Sequence, residues 1–226
     1  ENTTRVLSVF NVPVEEIQKQ IDAVFEDIHV DAVKLGMLPT AEIISAVADK
    51  LNEYKPSIIV CDPVMVATSG DALSEGGTVS TMREKLFPIV TLLTPNIPEA
   101  EAISGLEIKN ENHMEKAARI IMDMGVKNVL VKGGHLTGDA VDYLCTPEGV
   151  HKLVCKRVDS PNTHGTGCTL SSAITANLAH GMDMLSAVTK AKNYITEAIE
   201  KSFTVGKGHS PVNHFYDYYD LKGTVL

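Results

Sequence analysis

Short apolar runs alternate along the chain with longer segments in which apolar residues recur every three or four positions. The runs at 57–61 and 89–93 are almost continuously apolar, as in strands that are buried on both faces of a sheet. Further strands are predicted at 6–12, 32–35 and 128–131. The segments between these runs have helical periodicity, so the sequence predicts strands and helices in alternation.

Capping and stop residues locate the helices. One helix is predicted after Pro13, and another from Thr40, which is a plausible N-cap. Asn112 is predicted to cap a later helix, with Glu115 in the capping-box position. The remaining predicted helices end near Leu86, at Gly105, at Gly181 and near Phe203.

Alternating strands and helices predict right-handed crossovers and a mostly parallel sheet with helices on both faces. Two segments, 140–145 and 150–154, flank Pro147-Glu148-Gly149 and predict an antiparallel hairpin at the edge of that sheet. Composition does not change abruptly anywhere in the chain. We therefore expect residues 1–226 to form a single α/β domain.

Charge and cysteine usage narrow the class of protein. The 226 residues have a net charge of −9, which argues against nucleic acid or an acidic membrane surface as partner. No apolar run approaches the ~20 residues that a membrane-spanning helix needs. Four widely spaced cysteines without metal-ligand spacing predict reduced thiols in a cytoplasmic enzyme.

Polar residues and glycines stand immediately after the predicted strands. In open α/β sheets, ligands bind beyond the carboxyl ends of the strands. The residues there are Gly36-Met37, Asp62-Pro63-Val64, Asn96 to Glu99 and Lys132-Gly133-Gly134. Asp62 and Glu99 could hold Mg²⁺, and Lys132 could neutralise phosphate charge. This set of groups favours phosphoryl transfer, which depends on positioning and on neutralising charge.

The stretch from Asp159 to Ile174 changes from an irregular loop into a helix. Gly165 and Gly167 allow a ligand close to the backbone amides, and Cys168 lies in the first helical turn. A helix start favours a bound anion because its amides are unpaired and its dipole end is positive. We interpret the stretch as an anion hole for a phosphoryl group. A glycine-containing loop that leads into a buried helix is the structural alternative.

Other interpretations of these residues remain open at this point. Asp62 could be a turn residue, Glu99 a helix cap and Lys132 a solvated loop residue. Neither GxxxxGK[ST] nor GxGxxG occurs, which disfavours a P-loop NTPase and a dinucleotide enzyme. A hydrolase that uses Cys168 and His164 is a less favoured interpretation than phosphoryl transfer, because acyl transfer would leave the strand-end carboxylates and lysine without a role.

Five segments taken together resemble hydroxymethylpyrimidine/phosphomethylpyrimidine kinase, a thiamine-biosynthesis family of the ribokinase-like superfamily. They are Val33-Lys-Leu-Gly-Met-Leu38, Asp62-Pro-Val-Met65, Thr94-Pro-Asn-Ile-Pro-Glu99, Val131-Lys-Gly-Gly-His135 and Asn162-Thr-His-Gly-Thr-Gly-Cys168. The resemblance implies a three-layer ribokinase-like fold with ATP and Mg²⁺ as cosubstrates. It also implies two successive phosphorylations, first of the pyrimidine hydroxymethyl group and then of the monophosphate.

The resemblance implies a role for each matching residue. Asp62 and Glu99 would hold the metal, and Gly165, Gly167 and Cys168 would form the catalytic anion hole with Lys132. The nucleotide would contact Lys132, Gly133, Gly134, Thr166, Gly167 and Lys192. The pyrimidine would contact Glu1, Met37, Val64 and Cys168. Sugar kinases of the wider superfamily place Asp where Cys168 stands, as a base for a hydroxyl group.

The chain also departs from the family pattern. The family's first strand and its glycine-rich substrate segment would precede Glu1, and Glu1 stands where Gln is commoner. The resemblance further implies a homodimer. Two alternatives remain: a pyridoxine or pyridoxal kinase on the same scaffold, and a non-catalytic domain that binds a pyrimidine or a nucleotide.

Overall fold

The computed structural model describes residues 1–65, 77–134 and 138–218. The helices are α1 (Val14–Phe25), α2 (Ala41–Tyr54), α3 (Thr78–Thr81), α4 (Ile97–Ser104), α5 (Glu111–Asp123), α6 (Thr166–Ala179) and α7 (Met184–Glu200). The strands are β1 (Val33–Leu35), β2 (Ile59–Cys61), β3 (Leu92–Leu93), β4 (Asn128–Val131), β5 (Ala140–Thr146) and β6 (Gly149–Cys155). A π-helical turn, Met82–Leu86, and a 3₁₀ turn, Phe87–Ile89, follow α3.

The strands form one sheet in the order β1-β2-β3-β4-β5-β6. The first four strands pair in parallel, and helices or helical turns connect each strand to the next. Strands β5 and β6 pair antiparallel and complete the sheet at one edge. The predicted mostly parallel sheet with an antiparallel edge hairpin is confirmed.

Each face of the sheet has its own core. On one face, Cys61, Leu93 and Val129 pack in a cluster with buried residues of α2, α4 and α5. On the other face, side chains from β2 to β5 pack against α6 and α7. These residues are Val60, Leu92, Leu130 and Leu144 on the strands, with Ile174 and Val188 on the helices. The fold therefore has three layers, as predicted.

One predicted strand is absent from the structure, and another is shorter than predicted. Residues 6–12 form no strand, because no other described segment pairs with them. Their side chains point to solvent, with exposures of 64% for Leu7 and 84% for Phe10. Of the segment 89–93, only Leu92–Leu93 is a strand, because Pro88 and Ile89 complete the 3₁₀ turn.

The helix boundaries confirm some capping predictions and correct others. Thr40 caps α2, and its side chain accepts a hydrogen bond from the Ile43 amide at 3.2 Å. The cap of α5 is Asn110 and not Asn112, since Asn110 Oδ1 accepts from the His113 amide at 3.1 Å. The predicted capping-box residue Glu115 instead pairs with Arg119 at 2.8 Å.

The later helices end close to the predicted positions. Gly105 follows α4 in the left-handed region with φ of +72°. Helix α6 ends at Ala179, before Gly181, and α7 ends at Glu200, three residues before the predicted Phe203. Among the described residues, no helix is both long enough and apolar enough to cross a bilayer.

Candidate functional site

Polar side chains extend three strands on the face that packs against α6 and α7. Each stands two residues beyond a buried apolar residue of that face: Asp62 after Val60, Thr94 after Leu92, and Lys132 after Leu130. Because side chains two residues apart in extended chain point to the same face, these three polar groups lie side by side. The carboxyl edge of the sheet thus presents a polar row to α6.

Asp62 and Lys132 form a buried ion pair within this polar row. Lys132 Nζ lies 2.6 Å from Asp62 Oδ1, and the two side chains are 15% and 2% exposed. Thr94 Oγ1 donates to the same oxygen at 3.1 Å. The Lys132 amide donates to Pro95 O at 2.8 Å and keeps the chain extended past the end of β4. The ammonium group is therefore held by Asp62, which follows β2, and the backbone of Lys132 is held by Pro95, which follows β3.

The start of α6 covers this ion pair. A Cβ added to Gly167 would lie 3.3 Å from both Asp62 Oδ2 and Lys132 Nζ, so the helix backbone approaches both charges. Gly165 precedes the helix with φ of +79°, a conformation that L side chains rarely adopt. Within the described residues, the amides of Gly167 and Cys168 have no hydrogen-bond acceptor. The start of α6, with two free amides and the positive helix end, thus lies close to the Asp62–Lys132 pair, and Cys168 is exposed in the same turn.

Glu99 lies in the first turn of α4 and is 6% exposed. Its Oε2 accepts from the Asn96 amide at 2.8 Å, while Asn96 Oδ1 accepts from the Glu99 amide at 2.9 Å. Glu99 is therefore a capping-box residue, as the structural alternative proposed. Burial raises the pKa of Glu99 above its ordinary value; nearby Lys132 lowers it and the charge of Asp62 raises it further. The pKa of Glu99 therefore depends on both charges of the Asp62–Lys132 pair.

The donor set at this edge fits a magnesium ion. Asp62 and Glu99 are buried carboxylates, and oxygen is the ligand type that Mg²⁺ prefers. In the described ranges, no cluster of three or more His, Cys, Asp or Glu side chains could enclose a metal. Mg²⁺ usually takes one or two carboxylates and keeps several waters, so two carboxylates suffice.

Asp142 belongs to the same row and was not predicted from the sequence. It stands two residues before Leu144 in β5 and therefore faces α7. Asp142 Oδ1 accepts from the Gly133 amide at 2.9 Å, and its Oδ2 lies 2.5 Å from Lys192 Nζ. One acidic residue within the apolar segment Ala140-Val-Asp-Tyr-Leu-Cys145 was the sequence signal for it.

The loop after β4 is held on two sides. A Cβ at Gly133 would lie 1.9 Å from Val141 O, so only glycine allows this contact with β5. The Arg157 guanidinium donates to Gly134 O at 2.7 Å and to Gly138 O at 2.6 Å. Lys192, which we expected near the nucleotide, is buried against Asp142. Its link to this loop is therefore indirect.

The residues expected around the pyrimidine lie on separate segments of the chain. Met37, after β1, is 38% exposed, and Val64 is partly buried, with its amide donating to Asp62 O at 2.8 Å. Glu1 is exposed, and its Oε1 lies 4.0 Å from His164 Nδ1. The structure thus places Glu1 beside the loop that leads into α6.

Two further contacts concern that loop. Thr166 Oγ1 donates to Thr163 O at 2.6 Å, which tightens the turn before Gly167. The His164 amide donates to Ser210 O at 3.1 Å. No hydrogen bond joins His164 to Cys168 in the described part of the chain, so the geometry gives no support to the hydrolase alternative.

Comparisons of sequence and of structure both match this chain to small-molecule kinases. The model of the phosphomethylpyrimidine kinase family matches residues 1–213. The chain is 48% identical over 223 residues to the thiamine biosynthesis bifunctional protein ThiED of Geobacter sulfurreducens, covering 98% of this chain but 46% of that protein. It therefore spans about half the length of that relative.

Two other proteins are matched over most of their length. The hydroxymethylpyrimidine/phosphomethylpyrimidine kinase of Haemophilus influenzae is 41% identical, with 95% of this chain and 82% of that protein covered. A Bacillus subtilis pyridoxal kinase, solved as an ADP complex, superposes with a TM-score of 0.88 at 37% identity. That comparison covers 95% of this chain and 81% of the pyridoxal kinase.

Proposed function

Because the chain belongs to the phosphomethylpyrimidine kinase family, we propose that it phosphorylates 4-amino-5-hydroxymethyl-2-methylpyrimidine with ATP and then phosphorylates the monophosphate. Both reactions belong to thiamine biosynthesis. The observation that best supports the proposal is the approach of the α6 start to the Asp62–Lys132 pair. Free amides, a helix N-terminus and a lysine at one point suit a phosphoryl group in transfer.

The proposal assigns the charged groups to the phosphates. Lys132 neutralises charge on the ATP phosphates, and the Gly167 and Cys168 amides stabilise the phosphoryl group as it moves. Asp62 and Glu99 hold Mg²⁺, which when bound supplies further neutralisation of phosphate charge. Lys132 is paired with Asp62 in the structure. The proposal gives the same ammonium group the phosphate oxygens of ATP as partners.

Backbone groups carry the remaining nucleotide contacts. Gly133, Gly134 and Thr166 flank the ATP phosphates, next to the Gly167 amide. Lys192 contributes through Asp142, because its ammonium group is already bound to that carboxylate. On the acceptor side, Glu1, Met37, Val64 and Cys168 line the pyrimidine site. This assignment keeps the acceptor near β1 and β2 and the nucleotide near β4.

A coupled ADP-release assay tests the reaction. The purified chain is given ATP and Mg²⁺ with the pyrimidine alcohol, with its monophosphate, or with pyridoxal, and products are separated by chromatography. Turnover of both pyrimidines is the expected result. Turnover of pyridoxal alone would favour the second candidate, which the superposition on the Bacillus subtilis enzyme supports. Binding without turnover of any substrate would favour a non-catalytic domain.

The proposal includes assembly as a homodimer. Its support is an exposed apolar segment formed by Leu7, Val9, Phe10 and Val12, with exposures between 42% and 84%. Such a segment is unusual on a free surface. Light scattering across a dilution series measures the mass, and a concentration-independent monomer would refute the dimer.

A further inference from the structure

Lys34 extends the polar row by one more strand. It pairs in register with Val60, and residues paired in a parallel ladder point to the same face. Val60 belongs to the core under α6 and α7, so Lys34 also faces that layer. Helix α6 packs against both β1 and β2. The stem of Lys34 therefore lies under the helix that supplies the free amides.

The ammonium group of Lys34 reaches the carboxyl edge of the sheet. A Cβ added to Gly36 would lie 2.8 Å from Lys34 Nζ, which places the ammonium beside Gly36. Leu35 pairs with Cys61, so Gly36 is level with Asp62 on the adjacent strand. Neighbouring strands lie about 4.8 Å apart. Lys34 Nζ is thus at the same edge as the Asp62–Lys132 pair, on its β1 side.

The charges along this row alternate and pair, except at Lys34. Lys132 pairs with Asp62, and Lys192 pairs with Asp142. Lys34 is only partly buried, and among the described residues it has neither an ion-pair partner nor a side-chain hydrogen bond. Asp62, the nearest carboxylate along the row, is already bound to Lys132 and Thr94. An unpaired cation therefore stands at the acceptor end of the site.

We propose that Lys34 binds the phosphate group of the pyrimidine monophosphate in the second phosphorylation. This inference rests on the proposed function, and it adds a residue that distinguishes the two acceptors. The first acceptor is an uncharged alcohol, whereas the second has about −1.5 to −2 charges at neutral pH. Two carboxylates and the ATP phosphates at the same edge repel that anion. A free ammonium group on the acceptor side offsets the repulsion.

The test compares Lys34→Met with the wild type on both acceptors. Methionine keeps an unbranched stem of similar volume and removes only the charge. We expect kcat/KM for the monophosphate to fall by about 10- to 100-fold, the usual effect of losing one hydrogen bond to a charged group. We expect kcat/KM for the alcohol to change by less than about 3-fold, because the alcohol has no charge to pair.

Three further variants make the result specific. Lys34→Arg should restore most of the monophosphate reaction, since it keeps the charge. Gly36→Ala should weaken that reaction partially, because the new Cβ displaces the ammonium group. Lys190→Met, on the exposed side of α7, is the matched control and should alter neither reaction. Melting temperatures of all variants show whether any loss reflects unfolding.

The outcomes separate this inference from the proposed function. Wild type that turns over both acceptors, with Lys34→Met losing only the monophosphate reaction, supports the inference. Suppose that wild type phosphorylates both acceptors. The inference alone is then overturned if Lys34→Met slows the two reactions equally or slows neither of them. If wild type does not phosphorylate the monophosphate, the proposed second reaction fails first, and the role of Lys34 fails with it.

Discussion

The ammonium group of Lys192 lies 2.5 Å from the carboxylate of Asp142, and both side chains are only 8% exposed. Because the other oxygen of Asp142 accepts from the Gly133 amide, this pair connects α7 with the loop that begins at Lys132. A buried charge without its partner is costly, so neither residue can be removed alone without loss of stability.

Substitution of this pair distinguishes anchoring from direct nucleotide contact. Asp142→Asn alone should destabilise the fold by about 3 kcal/mol, because Lys192 is left buried and unpaired. The double variant Asp142→Asn/Lys192→Met keeps an acceptor for Gly133, whereas Asp142→Leu/Lys192→Met removes it. If Asp142 anchors the loop, the first double variant retains a lower KM for ATP than the second. Equal KM values in the two double variants would show that the anchor is unimportant.

Gly167→Ala should separate stability from activity. Alanine favours a helix by up to about 1 kcal/mol over glycine, so the melting temperature should hold or rise. The new Cβ, however, would lie 3.3 Å from Asp62 Oδ2 and Lys132 Nζ, where phosphate oxygens are expected. We expect kcat/KM to fall at least about 10-fold, equivalent to ~1.4 kcal/mol of transition-state stabilisation. Ser172→Ala, on the exposed side of α6, serves as control, and a fully active Gly167→Ala would contradict the proposed anion hole.

Glu99→Gln should change the pH dependence of stability. Burial raises the pKa of folded Glu99, so between its unfolded and folded pKa values the native state binds more protons. The contribution of Glu99 to stability therefore falls as pH rises through that window. Without metal, Glu99→Gln should gain stability relative to wild type as pH rises above about 4.3, the ordinary pKa of a glutamate, as measured by urea unfolding at a series of pH values. The exposed Glu107→Gln is the control; a pH-independent difference for Glu99→Gln would argue against a raised pKa.

The same Glu99→Gln variant should lose the effect of added Mg²⁺. An ion that binds only the folded state stabilises it by RT ln(1 + [L]/Kd), so wild type should melt at higher temperature when Mg²⁺ and a nucleotide are added. One of the two carboxylates is absent in Glu99→Gln, and its melting temperature should respond less. An equal response in both proteins would place the metal elsewhere.

Cys168→Asp should harm the second phosphorylation more than the first. The second acceptor is already an anion, and a fixed carboxylate at this exposed position would repel it. A first-step rate close to wild type in Cys168→Ala would limit Cys168 to supplying its backbone amide. Separate kinetics with the alcohol and the monophosphate measure both effects, and equal losses from Cys168→Asp in the two steps would sink the electrostatic explanation.

Most of the fold could be predicted from the sequence, because the apolar pattern of a segment reflects how that segment is buried. Continuous apolar runs predict buried parallel strands, and the segment 128–131 became β4 with the same bounds. The segment 6–12 failed because a strand depends on a partner, and apolar composition alone does not show where that partner lies. The cap of α5 was misplaced by two residues, since Asn110 and Asn112 have the same side chain.

The candidate site was predictable as a set of strand ends but not as a set of contacts. The rule for parallel sheets brought Asp62, Glu99 and Lys132 to one edge, and the structure places Gly167 against two of them. Which side chains pair depends on register, which the sequence does not display. For this reason the sequence did not predict that Lys192 pairs with Asp142.

The Asp62–Lys132 pair spans 70 residues of sequence, and Asp142 and Lys192 are 50 residues apart. A ribosome delivers the chain from its N-terminus, so β1 to β4 can assemble before α6 and α7 exist. During that interval one face of the sheet has no helices packed on it. The Asp62–Lys132 pair is then exposed to water, and Asp142 has no Lys192 to pair with. We therefore expect this face of the nascent sheet to stay exposed until α7 has left the exit tunnel, which makes early fragments candidates for chaperone protection.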